Sequence, residues 1–186
     1  MKHPLEFVRH EIRKRFFFTF LFLTLILFGV FRVLDQPLRT PAAPAGIVSF
    51  ELARTPEQAS NIMISWSKVK YQQSDNFTVK AYPFAVFGLG LDYLFMPVYA
   101  LALAFGTLLA AEKHEGWFKS LGAVAGYGAF VAAAFDAVEN YELFQVLLGK
   151  VFSPYPEIAF YCASVKFGLL IFGFVYAIVG GLLPKK

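Results

Sequence analysis

Four stretches of the chain are mostly apolar: Phe16 to Leu34, Phe84 to Ala111, Phe118 to Leu148 and Ile158 to Leu183. At about 1.5 Å per residue, a helix of about 20 apolar residues covers the roughly 30 Å hydrocarbon core of a bilayer. All four runs reach that span, and the last three exceed it, which predicts tilt or helix extending past the lipid. The pattern therefore predicts an all-α membrane protein with four transmembrane helices in a bundle. The basic lead into the first run (Arg9, Arg13, Lys14, Arg15) imitates a signal peptide, and Ala42-Ala43-Pro44 imitates a cleavage site. The apolar stretch is longer than a typical signal core, so it reads as an uncleaved anchor.

Between the first two spans lies a polar segment, residues 35–83. It opens with a Pro-rich linker, Gln36 to Pro44, and an extended stretch is expected at Ile47 to Phe50. A helix over about 55–70 has a strong start signal, with Thr55 as N-cap, Pro56 in the first position and Gln58 three residues after the cap. Ile62, Trp66 and Val69 share one face of it. That face predicts a helix lying on the membrane surface or on the bundle, with Trp66 at the interface. Asn76-Phe77-Thr78 spells an N-glycosylation acceptor, but no other feature supports that use.

Charge sets the expected orientation. Residues 1–15 are basic, Lys113, His114 and Lys119 lie between the second and third spans, and Lys185 and Lys186 follow the fourth. Positive residues favour the cytoplasmic side, so both termini are expected there in a multi-pass protein of the cell inner membrane. Residues 35–83 and the turn near Ser153-Pro154 are then extracytoplasmic.

Composition narrows the function classes. With 186 residues the chain has room for one polytopic domain. Its charged fraction of 16% lies below the roughly 25% of soluble domains, and 23 Phe suit a lipid-facing surface. The net charge of +4 sits at segment ends and forms no groove, so no nucleic acid is expected as a partner. Cys162 belongs to no zinc pattern and reads as a small apolar helix residue. His3, His10 and His114 all fall in polar flanks, which argues against a bis-His haem within the membrane. No cofactor is evident from the chain's own residues, although its apolar exterior suits a bound lipid. There is no phosphate-binding glycine loop, no HExxH and no Ser-His-Asp set, and Gly88, Gly90, Gly126 and Gly128 read as helix-contact residues.

The informative residues are the charges inside the spans. Asp92 lies in the second, Asp136 and Glu139 in the third and Lys166 in the fourth. Each costs about 2.5–3.5 kcal/mol at a helix centre, so such groups face the bundle interior and pair. With midpoints at Pro97, Ala134 and Leu170, their depths fall within roughly 3–7 Å outward of the midplane, or slightly more for Glu139. The four are expected to share one layer, with Tyr99 and Asn140 completing a polar cluster. Gly122, Gly126, Ala129 and Ala133 form a small-residue stripe leading to Asp136 and Asn140, and Gly168 flanks Lys166. These are expected packing positions, with the third span as the central helix. Pro97 also removes a helical partner from the Tyr93 carbonyl. Three carboxylates against one lysine leave a surplus that calls for a proton, a cation or water. A ligand-binding, ion-binding or purely structural role for the cluster all remain open at this point.

Phe50-Glu51-Leu52-Ala53, the helix to Trp66, Leu91-Asp92-Tyr93-Leu94-Phe95 with Tyr99, and Asp136 with Glu139-Asn140 carry a resemblance. In these residues the chain resembles a group of uncharacterised bacterial four-helix membrane proteins. The resemblance implies a bacterial inner-membrane protein and brings no activity. More remotely, the chain is similar to four-helix ligand binders of the sterol-isomerase and sigma-2 receptor type, without their His and Trp arrangement. The preferred reading is an accessory or structural subunit whose Phe-rich faces pack in a larger respiratory or photosynthetic membrane complex. The alternative is a binder of a small molecule, lipid or cation, either a transporter or an acid–base enzyme, that uses the acidic cluster.

Overall fold

The computed structural model describes residues 1–74 and 77–184, so Asn76 of the acceptor triplet and the terminal Lys185 and Lys186 lie outside the described residues. Four long apolar helices pack together: α1 (His10–Leu34), α4 (Tyr82–Ala111), α5 (Gly116–Leu147) and α6 (Tyr155–Leu182). Two short helices, α2 (Ile47–Glu51) and α3 (Pro56–Lys68), and an antiparallel pair, β1 (Lys70–Ser74) and β2 (Phe77–Lys80), lie between α1 and α4. α4 is the most deeply packed of the long helices. In its most apolar window 61% is buried, against 39% in α5, 28% in α6 and none in α1. Centrality thus belongs to α4, not to the third span. Ala100, Ala102 and Ala104 are each buried, and small side chains of this kind let neighbouring helices approach closely.

The chain divides into two compact units, and each long helix contributes a segment to both. The second unit comprises Phe28–Leu94 and Asp136–Ser164. Its core joins the segment between α1 and α4 to one end of the α4–α5–α6 packing: Leu38, Phe50, Ile62 and Trp66 lie with Ala85, Leu89, Leu143 and Val146. Trp66 is wholly buried, packs its ring 5.1 Å from Phe50 and donates its indole N–H to the Leu38 carbonyl at 2.7 Å. It is therefore an internal anchor, not an interfacial one.

The expected linker is also packed. Gln36–Leu38 forms a 3-10 turn with Pro37 and Leu38 buried. The expected extended stretch at Ile47–Phe50 is helical instead, because Asp35 supplies what a short helix lacks. Asp35 Oδ1 accepts the Ile47 N–H at 2.7 Å, and its other oxygen accepts from Arg39 Nε at 2.9 Å. Gly46 turns the chain at φ +61, and a Cβ there would overlap the Asp35 carboxylate. The distant cap outweighs the strand preference of Ile-Val, which is a local bias only. For α3, Thr55 and Gln58 form the capping box that the sequence spells.

The first unit comprises Met1–Leu27, Phe95–Phe135 and Val165–Lys186. Two apolar clusters fill it, one around Phe105, Leu108 and Ala129, the other around Ala110, Ala125 and Tyr176. Tyr176 donates to the Phe118 carbonyl at 2.9 Å across the space left by Gly122. Two of the histidines assigned to polar flanks are buried here. His114 bonds the Gly180 carbonyl at 2.8 Å, and His3 bonds Thr107 Oγ1 at 3.1 Å. Burial pushes the His3 imidazole down from its ordinary 6.5 to about 4, with Glu6 opposing the shift and Arg13 adding to it.

Two outcomes follow. Replacing Trp66 by Phe keeps most of the ring but strands the buried Leu38 carbonyl. Thermal unfolding in detergent should register a loss of about 1–3 kcal/mol; an unchanged midpoint would contradict the anchor. For His3, the unfolded state binds the proton more tightly than the folded one. Its stabilising contribution is thus complete above pH 6.5 and is lost as pH falls toward about 4. The stability difference between the wild type and His3→Gln should shrink over that window and be flat above it.

Candidate functional site

The polar residues of the second unit gather on facing turns of α4 and α5. Asn140 is completely buried and makes the central contact. Its amide Nδ2 donates to Asp92 Oδ2 at 2.9 Å and to the Leu89 carbonyl at 3.3 Å. Leu89 and Asp92 are three residues apart, so the carbonyl of one and the side chain of the other lie on the same face of α4. One amide can therefore reach both. A polar side chain that bonds the backbone of a neighbouring helix fixes both register and distance.

Acidic groups surround this clamp. Asp136 is 2% exposed and Glu139 is fully buried, whereas Asp92 is partly exposed. The Tyr93 hydroxyl donates to the Ala137 carbonyl at 3.3 Å, and Asp92 and Asp136 both lie close enough to act on it electrostatically. Asp92, Asp136, Glu139 and Asn140 thus all belong to the second unit. Tyr99 and Lys166 belong to the first. Tyr99 is buried with its ring 5.2 Å from Phe95, and Lys166 is buried with its ammonium 4.7 Å from the Phe167 ring centroid.

Asn140 Oδ1, Glu142 Oε2 and Glu157 Oε2 are buried atoms that accept no hydrogen bond from the described residues. An amide oxygen in that position costs roughly 1–3 kcal/mol unless something donates to it. Rotating the amide does not help, since Nδ2 already serves two acceptors. The arrangement is suited to receive a donor that carries positive charge. Among the described residues, no three His, Cys, Asp or Glu side chains are placed to hold a metal ion.

The packing positions separate into two kinds. A Cβ on Gly122 would lie 2.5 Å from the Tyr176 hydroxyl, and one on Gly126 would collide with the His3 ring. Ala129 is fully buried, and Ala133 is half-buried. Gly168, Gly88 and Gly90 differ: a Cβ on any of them meets nothing within 4 Å, so no close helix contact requires a glycine there. Three participants were not singled out from the sequence. The Leu89 carbonyl is a backbone group and leaves no residue-type signal, although its three-residue offset from Asp92 places it on the same face. Tyr93 reads as a packing aromatic. Glu157 sits in the first turn of α6, where an acid is accounted for by the helix dipole alone.

The clamp is testable by a double-mutant cycle. Asp92→Ala and Asn140→Ala should each destabilise the protein, with a coupling energy of about 0.6–1.7 kcal/mol, the range for hydrogen bonds between membrane helices. Strict additivity in detergent unfolding would show that the 2.9 Å contact contributes nothing.

Comparison of the chain with protein-family models, with curated proteins and with solved structures found no match, so the case for a function rests on these residues themselves.

Proposed function

We propose that this integral membrane protein binds a protonated amine carried on an apolar body, using the acidic face built by Asp92, Asp136, Glu139 and Asn140. The observation that carries the reading is Asn140 Oδ1, a buried oxygen with no donor, on the side chain that holds the Asp92 carboxylate. An ammonium group supplies N–H donors to that amide oxygen, and the charge it carries suits the neighbouring carboxylates. Asp92 lies ten residues into α4, about 15 Å along the helix from Tyr82. A ligand reaching that depth through lipid needs an apolar body. Half-buried Asp92, beside exposed Tyr93, is the most accessible member of the face and forms its entrance.

The placement proposed is a bacterial inner membrane, with both termini in the cytoplasm. The exposed Lys2, Arg9, Lys14 and Arg15 ahead of and within the start of α1, and Lys119 at the start of α5, support that orientation.

One observation favours a second reading, that of an accessory subunit. α1 buries none of its residues and exposes Phe18, Phe22, Leu25, Phe28 and Val33 by more than half. A helix that leaves this much apolar surface uncovered by its own chain is equally suited to lipid and to the transmembrane surface of a larger complex.

Binding of dodecylamine to the protein in lipid nanodiscs separates the readings. Saturable binding beyond bilayer partitioning is expected, weakened about 10–100-fold by Asp136→Asn, which removes one charge-assisted contact worth about 1.5–3 kcal/mol. Dodecyltrimethylammonium, which has no N–H, should bind more weakly than dodecylamine. Partitioning alone, identical in wild type and Asp136→Asn, would remove the ligand reading. Recovery of a stoichiometric complex in mild detergent would favour the subunit reading instead.

A further inference from the structure

The stretch preceding α1 does not trail away into solvent. Residues 4–8 turn back on the first unit, and His3 and Leu5 are each only 7% exposed. Leu5 enters the apolar cluster with Ala104, Phe105, Leu108 and Ala129. The His3 ring occupies the space that Gly126 leaves by having no side chain, and any Cβ there would strike the imidazole.

Its hydrogen bonds are directional and complete. The Leu5 N–H donates to Nδ1 at 3.2 Å, so Nδ1 is the bare nitrogen and Nε2 carries the proton. Nε2 then donates to Thr107 Oγ1 at 3.1 Å, and the Thr107 hydroxyl donates onward to the Ala104 carbonyl at 2.9 Å. Thr107 is itself fully buried.

A second contact straps the segment down. The Arg13 guanidinium, in the first turns of α1, donates to the Val8 carbonyl at 2.7 Å and to the Glu6 carbonyl at 2.5 Å, and pairs with Glu112 just after α4. Glu112 also lies 3.4 Å from His10 Nε2. Gly126 sits ten residues inside α5, about 15 Å from its start at Gly116. Irregular polar backbone that reaches into the end of a transmembrane bundle is tolerated only where protein buries it or where it lines a water-filled space. Here it fills a notch between α4 and α5 that the sequence keeps open with a glycine.

We propose that residues 1–9 form a releasable plug in the α4–α5 groove of the first unit, with His3 as its bolt and the Arg13–Glu112 pair as its strap. Withdrawal uncovers a notch lined by Thr107, Ala104 and Gly126. The closed form is held by the contacts of Arg13 and Glu112, by the His3 imidazole and by the apolar packing of Leu5 and Val8, a set local enough to open without unfolding the long helices.

The experiment measures how fast a water-soluble maleimide modifies a thiol at the floor of the notch. Ala104→Cys in a Cys162→Ala background places the probe there without touching the His3–Thr107 bond, with Lys119→Cys as an exposed reference. With the plug in place, Ala104→Cys should react at least about 100-fold more slowly than the reference. Arg13→Gln or Glu112→Gln should raise its rate about tenfold or more, and His3→Gln should do the same while leaving the strap intact. Circular dichroism and elution profile confirm that each variant keeps its helices. Modification of Ala104→Cys at the reference rate in the otherwise unaltered chain would show that nothing closes the notch. Unchanged protection in all three variants would show a fixed part of the core, and either result overturns the proposal.

Discussion

Hydrocarbon gives a polar group nothing to bond to, and this single constraint shapes the molecule. Backbone groups answer it by closing into four long helices, which satisfy themselves along their own length. Side chains have to answer it across helices, and Asn140 does so most fully. By donating to a carboxylate and to a backbone carbonyl of α4 at once, it ties α5 to α4 at a fixed register. The same constraint leaves its amide oxygen unanswered, and from that oxygen the proposed binding of an amine is derived.

The segment between α1 and α4 gives this clamp a rigid setting. Trp66, Phe50 and Leu38 pack into one core with Leu89, the residue whose carbonyl Asn140 holds, and with Leu143 and Val146, which follow Asn140 on α5. A core packed at near-crystalline density transmits position well. The acidic face therefore rests on residues that have little freedom to shift. In the first unit, polar backbone is likewise admitted only under cover, where the Gly126 notch receives His3.

Much of this was legible in the chain. The spans follow from length and hydropathy, which depend on no tertiary contact, and the capping box of α3 is local chemistry spelled by Thr55, Pro56 and Gln58. Burial of Asp136, Glu139 and Lys166 follows from the cost of charge in lipid. What was hidden depends on residues distant in sequence. Asp35 caps α2 from twelve positions away, and nothing in Ile47-Val48-Ser49-Phe50 announces it. His3 looks like part of a solvated basic flank until Gly126 is seen to make room for it. Glycine spacing alone could not separate Gly122 and Gly126, which sit under neighbours, from Gly88, Gly90 and Gly168, which do not.

The most direct measurement of the central claim is solid-state NMR dipolar recoupling in lipid between 15N-labelled dodecylamine and 13C-labelled asparagine. The Asn140 side-chain carbon is assigned by its loss in Asn140→Gln. The account predicts a nitrogen-to-carbon coupling consistent with a direct hydrogen bond to Oδ1, and no such coupling to Asn61. Bound amine that shows no coupling to Asn140 would contradict it, because the oxygen from which the site was inferred would then be playing no part in binding.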